Sequence, residues 1–431
     1  MNILLILQLL INGILLGGLY ATMSLGFSTI WGVMRLINLA HGEFLFLAAF
    51  VAWFFFNPTR EQGLTFSAPA ENGGIIVLIV LVIAGLVIGF AGSGLINQKY
   101  IKDNTIRRLT GTGIGVLVSI ILYIIWQMND FAATTISVMT MVMVGLALSI
   151  GFFLSHIVWR TIMGKEVTML IRLASYAVGA LVSWLFYTIW QSTEFAPIDP
   201  FLSLPIIFIL FFSAGYAIQK GFFNRLVEGP YLTMLLVTFA VSIILQNFML
   251  TIYSADPKRI NIEYGNAIPL GTDNLTIGLP RLITLIISGL MVVGLALFLQ
   301  YTRTGYAIRA AAQNKMAARL MGIDIKEVYA ITFAVALALT AMAGVMMATF
   351  QPFNPVDGPK WTLRAFAIVA LGGLGKVEGV VVGAMVLGIL ESFMGGYIGV
   401  GWAITAAFAL LVFMLVVRPQ GLTGGLVSAE E

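Results

Sequence analysis

Residues 301–345 read YTRTGYAIRAAAQNKMAARLMGIDIKEVYAITFAVALALTAMAGV. The first half holds Arg303, Arg309, Lys315, Arg319 and Lys326, and is the most polar stretch of a chain whose mean hydropathy is +1.00. The second half opens an apolar run that continues to residue 350. A helix needs about 20 such residues to cross the hydrocarbon core of a bilayer. Asp324 with Glu327 three residues on forms an Asp version of the capping box that starts this span, and Gly322 is placed to stop the preceding helix. Ala312, Met316, Leu320 and Ile323 share one face of that helix, and Asn314 and Lys315 lie away from it. The stretch therefore predicts helix, break, then transmembrane helix. An exposed helix with apolar residues on one side and arginines beside them needs a partner, either lipid headgroups or another protein.

The rest of the chain repeats the pattern. Sixty per cent of its 431 residues are hydrophobic and 10% are charged, against roughly a quarter charged in soluble domains. Apolar runs recur at 3–31, 42–56, 74–96, 111–127, 131–156, 168–190, 201–218, 230–253, 282–299, 328–350, 365–394 and 400–417. In lipid only helices and closed barrels satisfy their backbone groups, and no period-two alternation suggests a barrel. The expected fold is all-α, a polytopic bundle of about 10–12 transmembrane helices. Two runs are interrupted, the first by MRLINLAHGEF and the run at 365–394 by LGGLGKVEG, so broken or re-entrant segments are expected there. The first run lacks a basic leader and a cleavage site and is expected to stay in the membrane.

Charge sets the orientation. Lys99, Lys102, Arg107, Arg108, Arg160, Lys165, Lys220 and Arg225 share a side with the basic 303–326 stretch, and Glu61, Glu71, Asp130, Glu194 and Asp199 occupy the intervening loops. The positive-inside rule places 301–326 in the cytoplasm. The formal charge of +4 belongs to these loops, and nucleic acid is not an expected partner.

The residues also exclude chemistry. There is no cysteine, and only His41 and His156 supply imidazole, so thiolate catalysis, Cys-based metal sites and a membrane-embedded enzyme are not expected. ALGGLGKVEGVVVG is not a nucleotide-binding loop: position 377 is Val where a P-loop needs Ser or Thr, and apolar helix surrounds it. Its glycines permit a break at Gly372, Gly373 and Gly375, followed by close helix packing through Gly379 and Gly383. No cofactor is expected in this chain. Asn38, His41 and Glu43 sit beside the other break, either bonding freed backbone groups or lining a translocation path; two residues apart, His41 and Glu43 face different sides. Gln246 and Asn247, in an otherwise apolar span, bond a neighbouring helix or a zwitterionic solute. Arg172, near the end of a span, snorkels to the cytoplasmic interface. The proline-rich QPFNPVDGPKW at 351–361 reads as a rigid loop on the outer side, within reach of a soluble binding protein.

Five stretches together resemble the permeases of the branched-chain amino acid ATP-binding-cassette importers and their relatives for urea and short amides. They are GLYATMSLGFSTIWGVMRLINLAHGEFLFLAAFV (18–51), AIQKGFFNRL (217–226), VSIILQNF (241–248), the 301–345 stretch and AFAIVALGGLGKVEGVVVGAMVLGILE (365–391). The resemblance covers 1–56 and 201–431 as a permease core and leaves 57–200 as an inserted membrane region of about four spans. It implies a coupling helix at 305–323 that docks on an ATPase through Arg309, Ala312, Met316, Arg319, Leu320 and Gly322. It also implies two cytoplasmic ATP-binding subunits that use the ATP, a second permease, identical or homologous, and an extracytoplasmic solute-binding protein. The expected place is the plasma (inner) membrane of a prokaryote, the mechanism alternating access, and the solute a branched-chain amino acid or a small amide. The rival from the residues alone is an ion-coupled secondary carrier, for which Glu43, Glu378 and Glu391 are the available coupling carboxylates.

Overall fold

A computed structural model describes residues 3–56, 150–151, 169–192, 199–227, 229–262, 264, 267–269, 275–418 and 421–423. The expected spans at 74–96, 111–127 and nearly all of 131–156 lie outside these residues. The chain divides into two compact units: Met1–Pro58, Thr161–Gly164 and Phe195–Glu431 in one, Thr59–Arg160 and Lys165–Glu194 in the other. In the second unit the main described element is one helix, Met169–Ser192 (α3), with exposed Val178, Leu181, Val182 and Trp184 along it. Arg172 lies in its first turn.

The first unit is a helical bundle. Its helices are Ile3–Met34 (α1), His41–Phe56 (α2), Leu204–Gly221 (α4), Tyr231–Tyr253 (α5), Leu279–Tyr301 (α6), Arg303–Gln313 (α7), Lys315–Leu320 (α8), Ile325–Ala348 (α9), Gly358–Gly372 (α10), Val377–Tyr397 (α11) and Val400–Val417 (α12). A two-stranded hairpin, Ala267–Pro269 (β1) with Thr276–Gly278 (β2), leads into α6. Six described helices are long and apolar enough to cross a membrane: α1, α4 extended to Arg225, α5, α6, α9 and α11. The protein is an all-α polytopic membrane protein.

α9 is the axis of the unit. Its apolar window is 94% buried, and it packs against α1, α2 and α4. The run AVALALTAMAG at 334–344 explains why: small residues let neighbouring backbones approach closely, which is how helices associate in lipid, where no hydrophobic effect drives them together. One such approach is at Gly344 of α9, where a Cβ would lie 2.0 Å from the Leu45 carbonyl oxygen of α2. α1 packs along α11 and α6, and α10 fills the space between α2, α11 and α12.

Both interrupted runs are broken helices. α1 is continuous to Met34; the chain then turns through Arg35, whose φ is +55°, and stays non-helical until α2 starts at His41. The expected span at 365–394 is two antiparallel helices, α10 and α11, joined by a turn in which Gly373 and Gly375 have φ of +112° and +81°. A side chain is strained in that backbone region. α10 also starts seven positions earlier than expected, with Pro359 in its first turn. This corrects the reading of 351–361 as loop throughout, since proline suits a helix start.

Candidate functional site

Three places in the bundle bring polar groups together. The first is the α7–α8 projection. Thr302 caps α7 by accepting from the Gly305 amide at 2.9 Å, and Gly305, Ile308 and Ala311 are buried against the bundle. The expected single helix over 305–323 is in fact two. Asn314 is extended (φ −150°, ψ 107°), and its side chain caps α8 by accepting from the Ala317 amide at 3.0 Å. Cap hydrogen bonding by Asn competes well with helix continuation, which helical periodicity does not register. The expected common face of Ala312, Met316, Leu320 and Ile323 is therefore divided between two axes. Ala312 is half-buried on α7, and Met316, Leu320 and Met321 stand 66, 81 and 82% exposed on and just after α8.

Gly322 ends α8 as expected, with φ +81° and the Ile323 amide donating to the Ala318 carbonyl. Asp324 caps α9 through the Lys326 and Glu327 amides. Glu327 does not complete the capping box: its carboxylate accepts from the Tyr216 hydroxyl at 2.5 Å and the Lys220 ammonium at 2.9 Å, which ties α9 to α4. Arg309 is exposed, its guanidinium 4.8 Å from the Tyr306 ring centroid and bonded to the Gln300 carbonyl. Replacing Asp324 by Ala removes the cap of the central helix and is expected to destabilise the protein by about 1 kcal/mol, read as a lowered thermal midpoint with unaltered membrane insertion.

The second place is where α2 begins, level with the middle of α1. His41 Nε2 lies 3.1 Å from the Met23 carbonyl of α1 and 3.3 Å from Thr340 Oγ1 of α9. Glu43 faces the other way, its Oε1 accepting from Ser242 of α5 at 2.5 Å. Asn38 Oδ1 accepts the Ala40 amide, and Thr362 of α10 accepts the Gly42 amide at 2.8 Å. The N-termini of α2 and α10 converge here, because a Cβ on Gly42 would meet the Gly358 carbonyl and one on Gly358 would meet the Glu43 carboxylate. Asn38, His41 and Glu43 are all under 5% exposed. Gly372, Gly373 and Gly375 form the α10–α11 turn, against which Thr423 packs, its hydroxyl donating to the Gly372 carbonyl at 2.7 Å.

Gln246 and Asn247 lie in mid-α5, which is unbroken, and the Asn247 amide bonds back to the Ile243 carbonyl of its own helix at 2.8 Å.

The third place joins Glu391 and the 351–361 stretch, noted separately in the sequence, to Tyr20 and Arg364, which were not. At the end of the bundle opposite α7–α8 a cavity of about 650 Å³ lies among α1, α10, α11, α12 and the 350–357 loop. Volumes of about 300–1,000 Å³ are usual for small-molecule sites. Arg364 of α10 reaches Glu391 of α11 through Nε at 2.9 Å, and Glu391 also accepts from the Tyr20 hydroxyl of α1 at 2.5 Å. Asp357 and Lys360, paired at 2.7 Å, stand on its wall. The loop is fixed by mutual backbone bonds between Phe353 and Lys258. A charge inside a largely apolar segment, as at Arg364 and Glu391, was the signal available.

The family described as branched-chain amino acid transport system / permease component matches residues 172–417. The high-affinity branched-chain amino acid transport system permease protein LivH of Salmonella typhimurium is 30% identical over 214 residues, 49% of this chain and 70% of LivH. BraD of Pseudomonas aeruginosa, of the same description, is 27% identical over 258 residues, 58% of this chain and 83% of BraD. A probable branched-chain amino acid transport permease, LivH of Methanocaldococcus jannaschii, is 26% identical over 239 residues, 53% and 75%. No solved structure matches.

Proposed function

Because this chain belongs to the branched-chain amino acid permease family and is a transmembrane permease subunit of an ATP-binding-cassette importer, we propose that it carries branched-chain amino acids across the inner membrane of a prokaryote by alternating access. Importers of this kind work with ATPase and binding-protein partners. In this reading two ATPase subunits engage α7–α8 at the cytoplasmic side, a second permease pairs with this one, and the binding protein delivers solute at the opposite end.

The observation that carries the reading is the α7–α8 projection. α7 is anchored by buried Gly305, Ile308 and Ala311, and α8 presents Met316, Leu320 and Met321 to solvent beside Lys315 and Arg319. Apolar tips rimmed by cations mark a surface that is covered in an assembly. A push on α8 passes through the Asp324 cap into α9, which contacts α1, α2 and α4. In this reading the chain holds a lever on a buried axis, and the ATPase subunits supply the ATP chemistry.

Thr59–Arg160 and Lys165–Glu194 forming a separate unit supports an added membrane region within 57–200, and the family match from residue 172 counts against extending that region through α3.

Reconstitution tests the function. Vesicles holding this chain with its ATPase and binding-protein partners are expected to accumulate leucine, isoleucine and valine only when ATP reaches the ATPase. Uptake driven by an ion gradient through the chain alone would establish the carrier instead.

A further inference from the structure

We infer that the cavity opposite α7–α8 is a solute subsite in which Arg364 receives the carboxylate of a small aliphatic amino acid. The inference rests on the importer reading above and deepens it, because it separates amino acids from neutral amides.

The arginine is held as a receptor. Glu391 takes its Nε at 2.9 Å, and the Trp361 ring lies 5.3 Å from its Cζ. Tyr20 holds Glu391 in turn and packs edge-on to Trp361, with ring centroids 5.9 Å apart. These three are positioning residues: they fix the plane of the guanidinium without using its outer edge. Among the described residues no protein acceptor meets the two terminal nitrogens of Arg364, although its side chain is only 12% exposed and lines the cavity. A fork of parallel N–H donors held in this way matches the two oxygens of a carboxylate.

The remaining walls suit the rest of such a molecule. Leu9, Leu16, Phe350 and Ile404 offer apolar surface, and Asp357, whose Oδ1 already accepts from Lys360, leaves its second carboxylate oxygen for an ammonium group. Arg281, shared with an adjoining pocket of about 400 Å³ that also holds Arg259, makes the approach cationic. Urea and neutral amides bring no charge to answer the guanidinium.

The chain contains no cysteine, so one introduced at the cavity wall reports on it alone. The full-length Ile404→Cys chain in lipid nanodiscs is treated with a small thiol-specific sulfonate reagent. Leucine is expected to slow labelling at least fivefold, with leucinamide and urea having no effect. Arg364→Lys should shift the protecting leucine concentration at least tenfold upward. Arg364→Gln with Glu391→Gln, which leaves no buried unpaired charge, should abolish protection, and Arg364→Lys keeps the test valid if the double variant does not fold. The inference is overturned if leucinamide protects as well as leucine, if protection survives both variants, or if leucine fails to protect while the Ile404→Cys importer still takes up leucine. Protection by leucine without any leucine uptake by the assembled importer would instead strike the transport reading and leave the subsite standing.

Discussion

A chain carrying Arg309→Glu, Arg319→Glu and Leu320→Asp is expected to reach the membrane in normal amount, keep its thermal midpoint and lose its ATPase. Each of the three side chains is exposed in the permease. Surface substitutions of that kind usually shift stability by no more than about 0.5 kcal/mol. Their effect on docking is much larger. A fully buried leucine contributes about 1.5–3 kcal/mol, and leaving one partner of a desolvated charge pair unmatched costs about 2–5 kcal/mol. Every 1.4 kcal/mol is about tenfold in affinity. Co-purification of the ATPase should therefore fall by at least two orders of magnitude, and ATP-driven uptake with it. An unchanged yield of ATPase on the variant would count against docking at this projection.

A large structural effect is expected at Gly344. An alanine there brings its Cβ to 2.0 Å from the Leu45 carbonyl oxygen and 2.8 Å from the carbonyl carbon. Both atoms are backbone, so no side-chain rotation relieves the contact. α2 cannot simply move away, because its first turn is held by the Thr362 hydroxyl on Gly42 and by His41 against Met23 and Thr340. Overpacking a fitted core costs about 1–3 kcal/mol and occasionally more, and a backbone clash belongs at the upper end. Gly344→Ala is expected to lower the thermal midpoint sharply and to cut the monodisperse fraction. Gly289→Ala on α6, where among the described residues nothing beyond the helix's own backbone and the chain neighbours lies within 4 Å of the added Cβ, should leave stability unchanged or raise it, since alanine favours helix. Equal behaviour of the two variants would show that α9 and α2 are not in close contact.

Much of the bundle was legible because the bilayer leaves the chain few choices. A run such as 325–348 with Asp324 before it has no other way to satisfy its backbone, and the helix found there differs from the expected span by a few residues at each end. The break before His41 was legible from the polar NLAHGE between apolar runs. What fills the break was not: Thr362, Thr238 and Ser242 come from α10 and α5, and their hydroxyls look unremarkable in their own segments. The second interruption was placed correctly, but the early start of α10 was hidden because GPKW resembles a loop until its proline is seen as a first-turn residue.

The α7–α8 division at Asn314 shows the limit of periodicity. The spacing of Ala312, Met316 and Leu320 is continuous in sequence, while the Asn314 side chain changes the direction of the chain between them. The cavity shows a different limit. Tyr20, Arg364 and Glu391 are far apart in sequence on three helices, and nothing local in the chain pairs them. Glu391 stood out only as a possible coupling carboxylate for a carrier, and its pairing with Arg364 and Tyr20 became visible only in the fold.

The central claim is that motion enters this membrane protein through α8 from a cytoplasmic ATPase. A photoreactive benzoylphenylalanine placed at position 320 in the assembled importer, in native membranes, tests it directly. The expected product is a covalent adduct between this chain and the ATPase subunit. Adducts with lipid alone, or with the extracytoplasmic binding protein, would contradict the account.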